Sequence, residues 1–335
     1  MTVMSPCPRP RSARALLAGV FVAAVLLAGA LVTLGATALF AAPVASASPP
    51  PLPLLWEDTY LGVDQNSIEL NAAATAPDGA TYAAGKASHL THGYDVVLLR
   101  HRPDGSRAWV RTFDSVAHND EQALAVATSK AGIIVTTGRC RPTGGAWDVL
   151  TIAWSSSGTR LWVRRLLVDD SLSSEGRDVL VTPTGEVFIT GTLVRNGNQD
   201  LFVAKYSKTG VLVWKKYVAG SAGGWDQGNA LARDGAGNIY AAGFVNQSLT
   251  GRDYVLVKYR PDGTRLWVKR TDAGENRDEW ANDIAIRDSF VVLAGGAVDL
   301  DGDTCGSLAR YDTAGNPWWI RVVDSVGSTT SEYAV

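Results

Sequence analysis

Carboxylates are the residues of this chain best placed for chemistry, because they recur at a fixed step. Glu69, Glu121, Glu175, Glu279 and Glu332, with Gln227 in the remaining place, each stand near the start of an apolar run. If those runs line a channel, the series forms an acidic ring at one mouth, suited to a cation or a basic ligand. The structural alternative is that each carboxylate takes hydrogen bonds from neighbouring backbone, and repetition by itself favours structure. A second series, Asp95, Asp148, Asp200 and Asp253, precedes later apolar runs. A short side chain there can accept backbone N–H groups of the loop before it. Cys305 takes this place in the fifth repeat, and just ahead of it lie Asp299, Asp301 and Asp303 around Gly302. Alternating oxygen ligands can wrap Ca²⁺, but the EF-hand pattern wants glycine sixth and glutamate twelfth, where this loop has glycine fourth and Arg310 twelfth. A solvated acidic loop is the competing reading. His89 and His92 share a loop, without a cysteine or carboxylate at local ligand spacing, and with His101 and His118 they read as surface residues. No catalytic residue and no cofactor site is assigned, since no Ser-His-Asp set, phosphate loop or zinc motif is present. Carboxylates drawn from different repeats would leave no local spacing to read.

The elements that position these residues follow from the period. Trp56, Trp109, Trp162, Trp214, Trp267 and Trp319 recur at steps of 53, 53, 52, 53 and 52 residues. Gly105, Gly158, Gly210, Gly263 and Gly315 each stand four residues before a tryptophan, and Gly85, Gly138, Gly191, Gly243 and Gly295 keep the same step. Each repeat divides into four apolar runs of five to seven residues, clearest from Ala230: ALARD, turn GAGN, IYAAG, loop, DYVLVKY, turn RPDG, TRLWVKR. Runs rich in Val, Ile, Leu, Tyr and Trp and bounded by Gly, Asp, Asn and Pro are antiparallel strands. No segment after the leader keeps a helical period. Four strands in about 50 residues is the arithmetic of a propeller blade. The expected fold is therefore all-β, a β-propeller of four-stranded antiparallel blades, with five full blades and an incomplete sixth. The repeats run over about 66 to 112, 118 to 165, 172 to 217, 224 to 270 and 276 to 322, with a partial one at 329 to 335. The last would supply the first strand of the sixth blade, and the segment around Trp56 its fourth.

The punctuation resembles the SBBP-type β-propeller repeat of bacterial proteins over about residues 66 to 335, best at Asp234-Gly235-Ala236-Gly237-Asn238-Ile239-Tyr240 and from Asp253 to Trp267. That resemblance implies the fold and export, and no particular activity. The Gly-x-x-x-Trp motif, as at Gly263 to Trp267, also resembles the docking motif of quinoprotein propellers. By that likeness Trp109, Trp162, Trp214, Trp267 and Trp319 pack between blades, as large aromatics at a repeated position would.

Residues 1 to 47 carry Arg9, Arg11 and Arg14, no acid, and an apolar stretch from about Leu16 to Ala42. They read as an export signal cleaved after Ala47; the length of the apolar stretch also suits a retained membrane anchor. Pro49, Pro50 and Pro51 open a stiff linker over residues 48 to 55, and the propeller would occupy 56 to 335. Beyond the leader the chain has 28 Lys and Arg against 33 Asp and Glu, which argues against a nucleic-acid partner. Cys140 and Cys305 stand in separate repeats and are expected as separate thiols. The functional expectation is an exported, non-catalytic scaffold, extracellular or at the cell surface, that binds a protein, glycan or cell-wall ligand through its loop face. Contact with the membrane would come only through an uncleaved leader. The alternative is an extracellular polysaccharide hydrolase or lyase using carboxylates at the channel mouth.

Overall fold

A computed structural model describes residues 58, 60, 67 to 142, 145 to 166, 172 to 274, 277 to 298 and 302 to 323, with the backbone of 331 to 333. The leader, the proline linker and Trp56 lie outside the described residues. The rest is all β, in five antiparallel sheets that follow one another along the chain. The first holds β1 (Ile68–Thr75), β2 (Thr81–Ser88), β3 (Tyr94–His101) and β4 (Arg107–Phe113). The second holds β5 (Glu121–Thr128), β6 (Ile133–Cys140), β7 (Asp148–Ser155) and β8 (Arg160–Leu166). The third holds β9 (Glu175–Val181), β10 (Val187–Arg195), β11 (Asn198–Tyr206) and β12 (Leu212–Val218). The fourth holds β13 (Gln227–Arg233), β14 (Ile239–Gln247), β15 (Gly251–Tyr259) and β16 (Arg265–Thr271). The fifth holds β17 (Glu279–Arg287), β18 (Phe290–Val298), β19 (Thr304–Asp312), β20 (Pro317–Val323) and an added edge strand, β21 (Ser331–Tyr333).

Each sheet is a meander in chain order, and its first strand lies against the first strand of the next: β1 on β5, β5 on β9, β9 on β13, β13 on β17. The first strand carries a bulge at the same place in every sheet, between Leu70 and Ala72 in β1 and between Gly228 and Ala230 in β13, for example. The bulge drives a carbonyl toward the second strand. A Cβ at Gly85, Gly138, Gly191, Gly243 or Gly295 would lie 1.8 to 2.0 Å from that oxygen, so only glycine fits. The bulged residue itself is free to reach outward. Asn71 donates its amide to the carbonyl of Ala123 at 2.8 Å, and Asn229 to that of Ala281 at 2.7 Å, each in the next sheet.

Apolar layers fill the spaces between sheets. Tyr82, Val96 and Leu98 meet Ile134, Leu150 and Trp154 of the second sheet, and Tyr240, Tyr254 and Leu256 meet Val291, Leu293 and Tyr311 of the fifth. β7, β11 and β15 are consequently buried on both faces, as four-stranded sheets stacked on both sides require. The far face of the fifth sheet differs. At the positions of Tyr240, Ala242, Tyr254 and Leu256 it has Val292, Ala294, Gly306 and Leu308, which are not buried.

The outer strands are locked by the tryptophans. Trp109, Trp162 and Trp214 donate their indole N–H to the carbonyls of Ser156, Lys208 and Pro261, at 3.0 to 3.2 Å, in the third-to-fourth-strand turn of the next sheet. The turn glycine there has positive φ, +79° at Gly210 and +89° at Gly263, and presents its Cα to the indole, where a Cβ would collide with Trp162 or Trp214. Trp267 abuts Gly315 in the same manner, and Trp319 lies under the Arg321 guanidinium.

The incomplete sixth repeat expected at 329 to 335 does not open a new sheet in the described residues. Ser331–Tyr333 instead pairs antiparallel with β20. An outer strand with unpaired N–H and C=O groups is a template for any extended segment nearby.

The bulge contact makes a sharp stability prediction. Gly243→Ala is expected to lower stability by about 1–3 kcal/mol or more, because the oxygen it meets is backbone and cannot swing aside. Gly235→Ala, in a turn where the added carbon meets nothing within 4 Å, should stay within about 0.5 kcal/mol of the parent. Chemical denaturation of the two variants measures both; equal effects would contradict the steric explanation.

Candidate functional site

In each sheet the meander puts the start of the first strand, the end of the second and the start of the third at the same end. The recurrent carboxylates collect there, and their surroundings diverge. Glu69 is exposed and pairs with Lys86 at 3.0 Å. Glu175 is held by Arg139 at 3.1 Å and Arg177 at 2.7 Å. Gln227 is buried. Glu121 and Glu279 are both buried, and burial pushes their carboxyls up to about 7 and about 8 respectively. The side chain of Glu332 lies outside the described residues. The series is thus one exposed ion pair, one arginine-clamped carboxylate and two buried acids, with an amide between.

Asp95, Asp148, Asp200 and Asp253 are all buried at the head of the third strands. Among the described residues, backbone N–H groups at these loops are bonded by a second series, the residue immediately before each glutamate position. Asp120 accepts from Tyr94 N–H, Ser174 from Val194 N–H, and Asp278 from Arg252 N–H. Asp226 accepts from Gly220 and Asn246 N–H at 2.8 and 2.7 Å. Within the Asp95 series, Arg165 lies 2.9 Å from Asp148 and Arg195 3.6 Å from Asp200. Two carboxylate series one strand apart end at the same level, so sequence spacing alone did not say which would meet the loop's N–H groups.

Of the acidic loop in the fifth repeat, Asp299 and Asp301 lie outside the described residues and Asp303 is exposed. Neither Cys140 nor Cys305 is in a disulfide, and both are buried. Burial pushes the Cys140 thiol up to about 12, which leaves it a small apolar group.

The junction of the first and second sheets gathers a set of residues that the local spacing did not reveal. His89 and His92, from the β2–β3 loop, stack with centroids 3.9 Å apart, and His118, from the β4–β5 connector, lies 5.3 Å from His92. Asp114 joins them: its Oδ2 is 2.5 Å from His118 Nδ1 and 3.7 Å from His92 Nε2. On the other side of the ring, His92 Nδ1 lies 3.5 Å from Asp95 Oδ1. Glu121 stands behind, and Asp95, Asp114 and Glu121 each bring an oxygen within 4.8 Å of the others, as His92, Asp114 and His118 bring their ligand atoms. His92 therefore does have carboxylates beside it: Asp95, three residues on, and Asp114, which follows β4 twenty-two residues on. Two local spacings point here, His92 to Asp95, three residues apart, and Asp114 to His118, four apart.

No protein-family model and no characterised protein sequence matches the chain. Among solved structures it is similar to a eukaryotic initiation factor at 10% identity and TM-score 0.36, over 76% of this chain and 55% of that one. It is similar to Sqt1 of Chaetomium thermophilum at 12% and 0.36, over 76% and 79%. It is similar to the apocarotenoid oxygenase of Synechocystis at 12% and 0.44, over 81% and 66%. The chain spans little more than half the length of the initiation factor.

The buried acids make stability depend on pH. Glu279 Oε2 has no hydrogen-bond partner; burial raises its carboxyl to about 8, against the backbone N–H of Ala273 and with Asp272, Asp253 and Asp278 adding repulsion. The folded chain thus keeps this proton up to about pH 8, whereas the unfolded chain loses it near 4.5. Its contribution is full below the lower value and is lost as pH rises to the higher one. Glu279→Gln should flatten the fall in Tm between pH 5 and 8.5 by several degrees, since Glu121 remains in both proteins. Parallel Tm curves for parent and variant would contradict the assignment.

Proposed function

We propose that this chain is an exported, non-catalytic β-propeller scaffold that binds a protein, glycan or cell-wall ligand through the face carrying its β2–β3-type loops and sheet connectors. The observation that carries the reading is the placement of exposed apolar side chains. Leu90 and Leu249, in second-to-third-strand loops, are 72% and 89% exposed, and Val116, in the β4–β5 connector, is fully exposed. Leu172 and Trp225, in later connectors, are exposed as well. Two aromatic platforms lie among them. Trp147 is flanked by the guanidinium groups of Arg139 and Arg141 at 4.5 and 4.6 Å, and Trp225 by that of Arg252 at 5.3 Å. Aromatic and arginine side chains fixed on a rigid frame are favoured anchors for a partner.

Five meander sheets with successive first strands side by side support the propeller reading. The basic, then apolar, then small-residue order of residues 1 to 47 supports export. A polysaccharide hydrolase or lyase would need two carboxylates on an open cleft. At the loop end Asp95, Asp148, Asp200, Asp253, Glu121 and Glu279 are instead buried, which favours binding over turnover.

Binding is tested by presenting the purified chain with an array of cell-wall and extracellular polysaccharides and with isolated envelope proteins. Saturable binding is expected, weakened at least about tenfold by Trp225→Ala combined with Leu249→Ala, at unchanged Tm. Release of saccharide fragments, or binding that ignores both substitutions, would overturn the proposal.

A further inference from the structure

The His92, Asp114 and His118 cluster differs from every other sheet junction in one respect that bears on ligands. Where the first strand and third strand bring carboxylates together elsewhere, arginine stands beside them. Arg165 pairs with Asp148 and Arg195 with Asp200, and the Arg270 guanidinium acts on Asp253. At the position of Arg165 and Arg270 the first sheet has Thr112. Among the described residues the charged neighbours that act on Asp95 are Asp114 and the three histidines, and those that act on Glu121 are Asp114 and Asp95.

Buried polar atoms without partners collect in the same place. His92 Nδ1, Asp95 Oδ1 and Asp114 Oδ1 have no hydrogen-bond partner, and the wholly buried Glu121 has no well-formed bond beyond the weak approach of the Ser115 N–H and hydroxyl. Orphaned polar atoms in a fold cost free energy unless something satisfies them. Three acids faced by imidazoles, with no arginine or lysine ion pair to any of them among the described residues, call for a positive ion that imidazole also binds.

The chain supplies its own comparison. Asp272 and Glu279 follow Asp253 by 19 and 26 residues, as Asp114 and Glu121 follow Asp95. The carboxylate set is therefore built twice. At the fourth junction, however, Thr250 stands where His92 precedes Asp95. Asp272 there is engaged by the Gly274 N–H at 2.9 Å. The histidines are an addition to a recurrent frame and are not required by it.

We propose that His92 Nε2, His118 Nδ1 and the Asp114 carboxylate bind one divalent first-row transition ion, of which zinc is the natural probe. Asp95 takes the remaining N–H of His92, the carboxylate–imidazole–metal arrangement that orients a metal-bound histidine. Glu121 adds negative charge from behind and a further oxygen. Imidazole with carboxylate suits zinc and its neighbours over calcium, which takes oxygen ligands. Ligand atoms around tetrahedral zinc stand roughly 3.3 Å apart, given metal–ligand bonds of about 2.0–2.1 Å. The 3.7 Å between His92 Nε2 and Asp114 is close to that, and the 2.5 Å contact of His118 with Asp114 need open by less than about 1 Å. His118, with 64% of its side chain exposed, leaves an open side for water or a ligand group. The ion would tie the β2–β3 loop to the β4–β5 connector, beside the exposed Leu90 and Val116.

The test is calorimetric titration of the chelator-treated full chain with zinc chloride, with thermal unfolding as a second readout. One equivalent is expected to bind and to raise Tm. His118→Ala removes an exposed side chain, so the fold survives, and binding should weaken at least about 100-fold; Asp114→Asn should do the same. Asp95→Asn should weaken it about 10- to 100-fold, and Asp272→Asn, at the histidine-free junction, should leave it unchanged. Calcium should not compete at equal concentration. Absence of stoichiometric zinc binding, or zinc affinity retained in both His118→Ala and Asp114→Asn with circular dichroism unchanged, would overturn the proposal.

Discussion

A single close approach organises each sheet: the carbonyl pushed out by the first-strand bulge against the Cα of a second-strand glycine. The carbonyl would lie within 2.0 Å of any added Cβ, so bulge and glycine must occur together. The bulge also turns one residue of the first strand away from its own ladder and toward the next sheet. Asn71 and Asn229 use that freedom to bond the carbonyls of Ala123 and Ala281. Inner strands are joined in this way, outer strands by indoles docked on turn glycines, and the space between fills with aliphatic and aromatic side chains. A typical hydrogen bond adds only about 1 kcal/mol, and a fully buried Leu or Phe about 1.5–3 kcal/mol. Cohesion between sheets therefore comes mainly from the apolar layers, while the bulge and the indole set the register in which those layers meet.

Much of this frame was legible in the sequence, and the reason is steric. Gly85 to Gly295 recur because no other residue fits against the bulge carbonyl, and Gly210, Gly263 and Gly315 because their turns press on an indole; a demand that repeats in space must repeat in the chain. Polar residues obey weaker demands. The glutamate series looks uniform, yet Lys86 captures Glu69, Arg139 and Arg177 capture Glu175, and Glu121 and Glu279 are left buried. The neighbours decide, and they come from other strands. Asp95 and Asp120 illustrate the same limit, since both arrive at the loop end and only geometry shows that Asp120 holds the backbone. The histidine cluster was the least legible feature, because His92 and His118 reach one another across a sheet junction. Strand pairing at the chain's end was also hidden: β21 follows the open edge of β20, which no local pattern in Ser331 to Tyr333 announces.

The two carboxylate junctions show how a repeat acquires a site. A frame that places Asp, Asp and Glu together is tolerable when arginine or backbone N–H groups answer the charge, and it becomes a cation site once Thr112 replaces the arginine and histidines enter from the loop. Function in such a fold then resides in departures from the repeat, because the repeated residues are already engaged in holding the sheets. Leu90, Val116, Trp225 and Leu249 are departures of the same kind, apolar side chains on loops where the frame asks for none.

The most direct measurement is an anomalous difference map from crystals of the zinc-soaked chain, recorded on both sides of the zinc absorption edge. One peak is predicted between His92, Asp114 and His118, at about 2.0–2.2 Å from their ligand atoms, with none at the Asp253, Asp272 and Glu279 junction. A peak at the histidine-free junction, or none at the first, would contradict the view that the histidines turn a recurrent structural frame into a metal site.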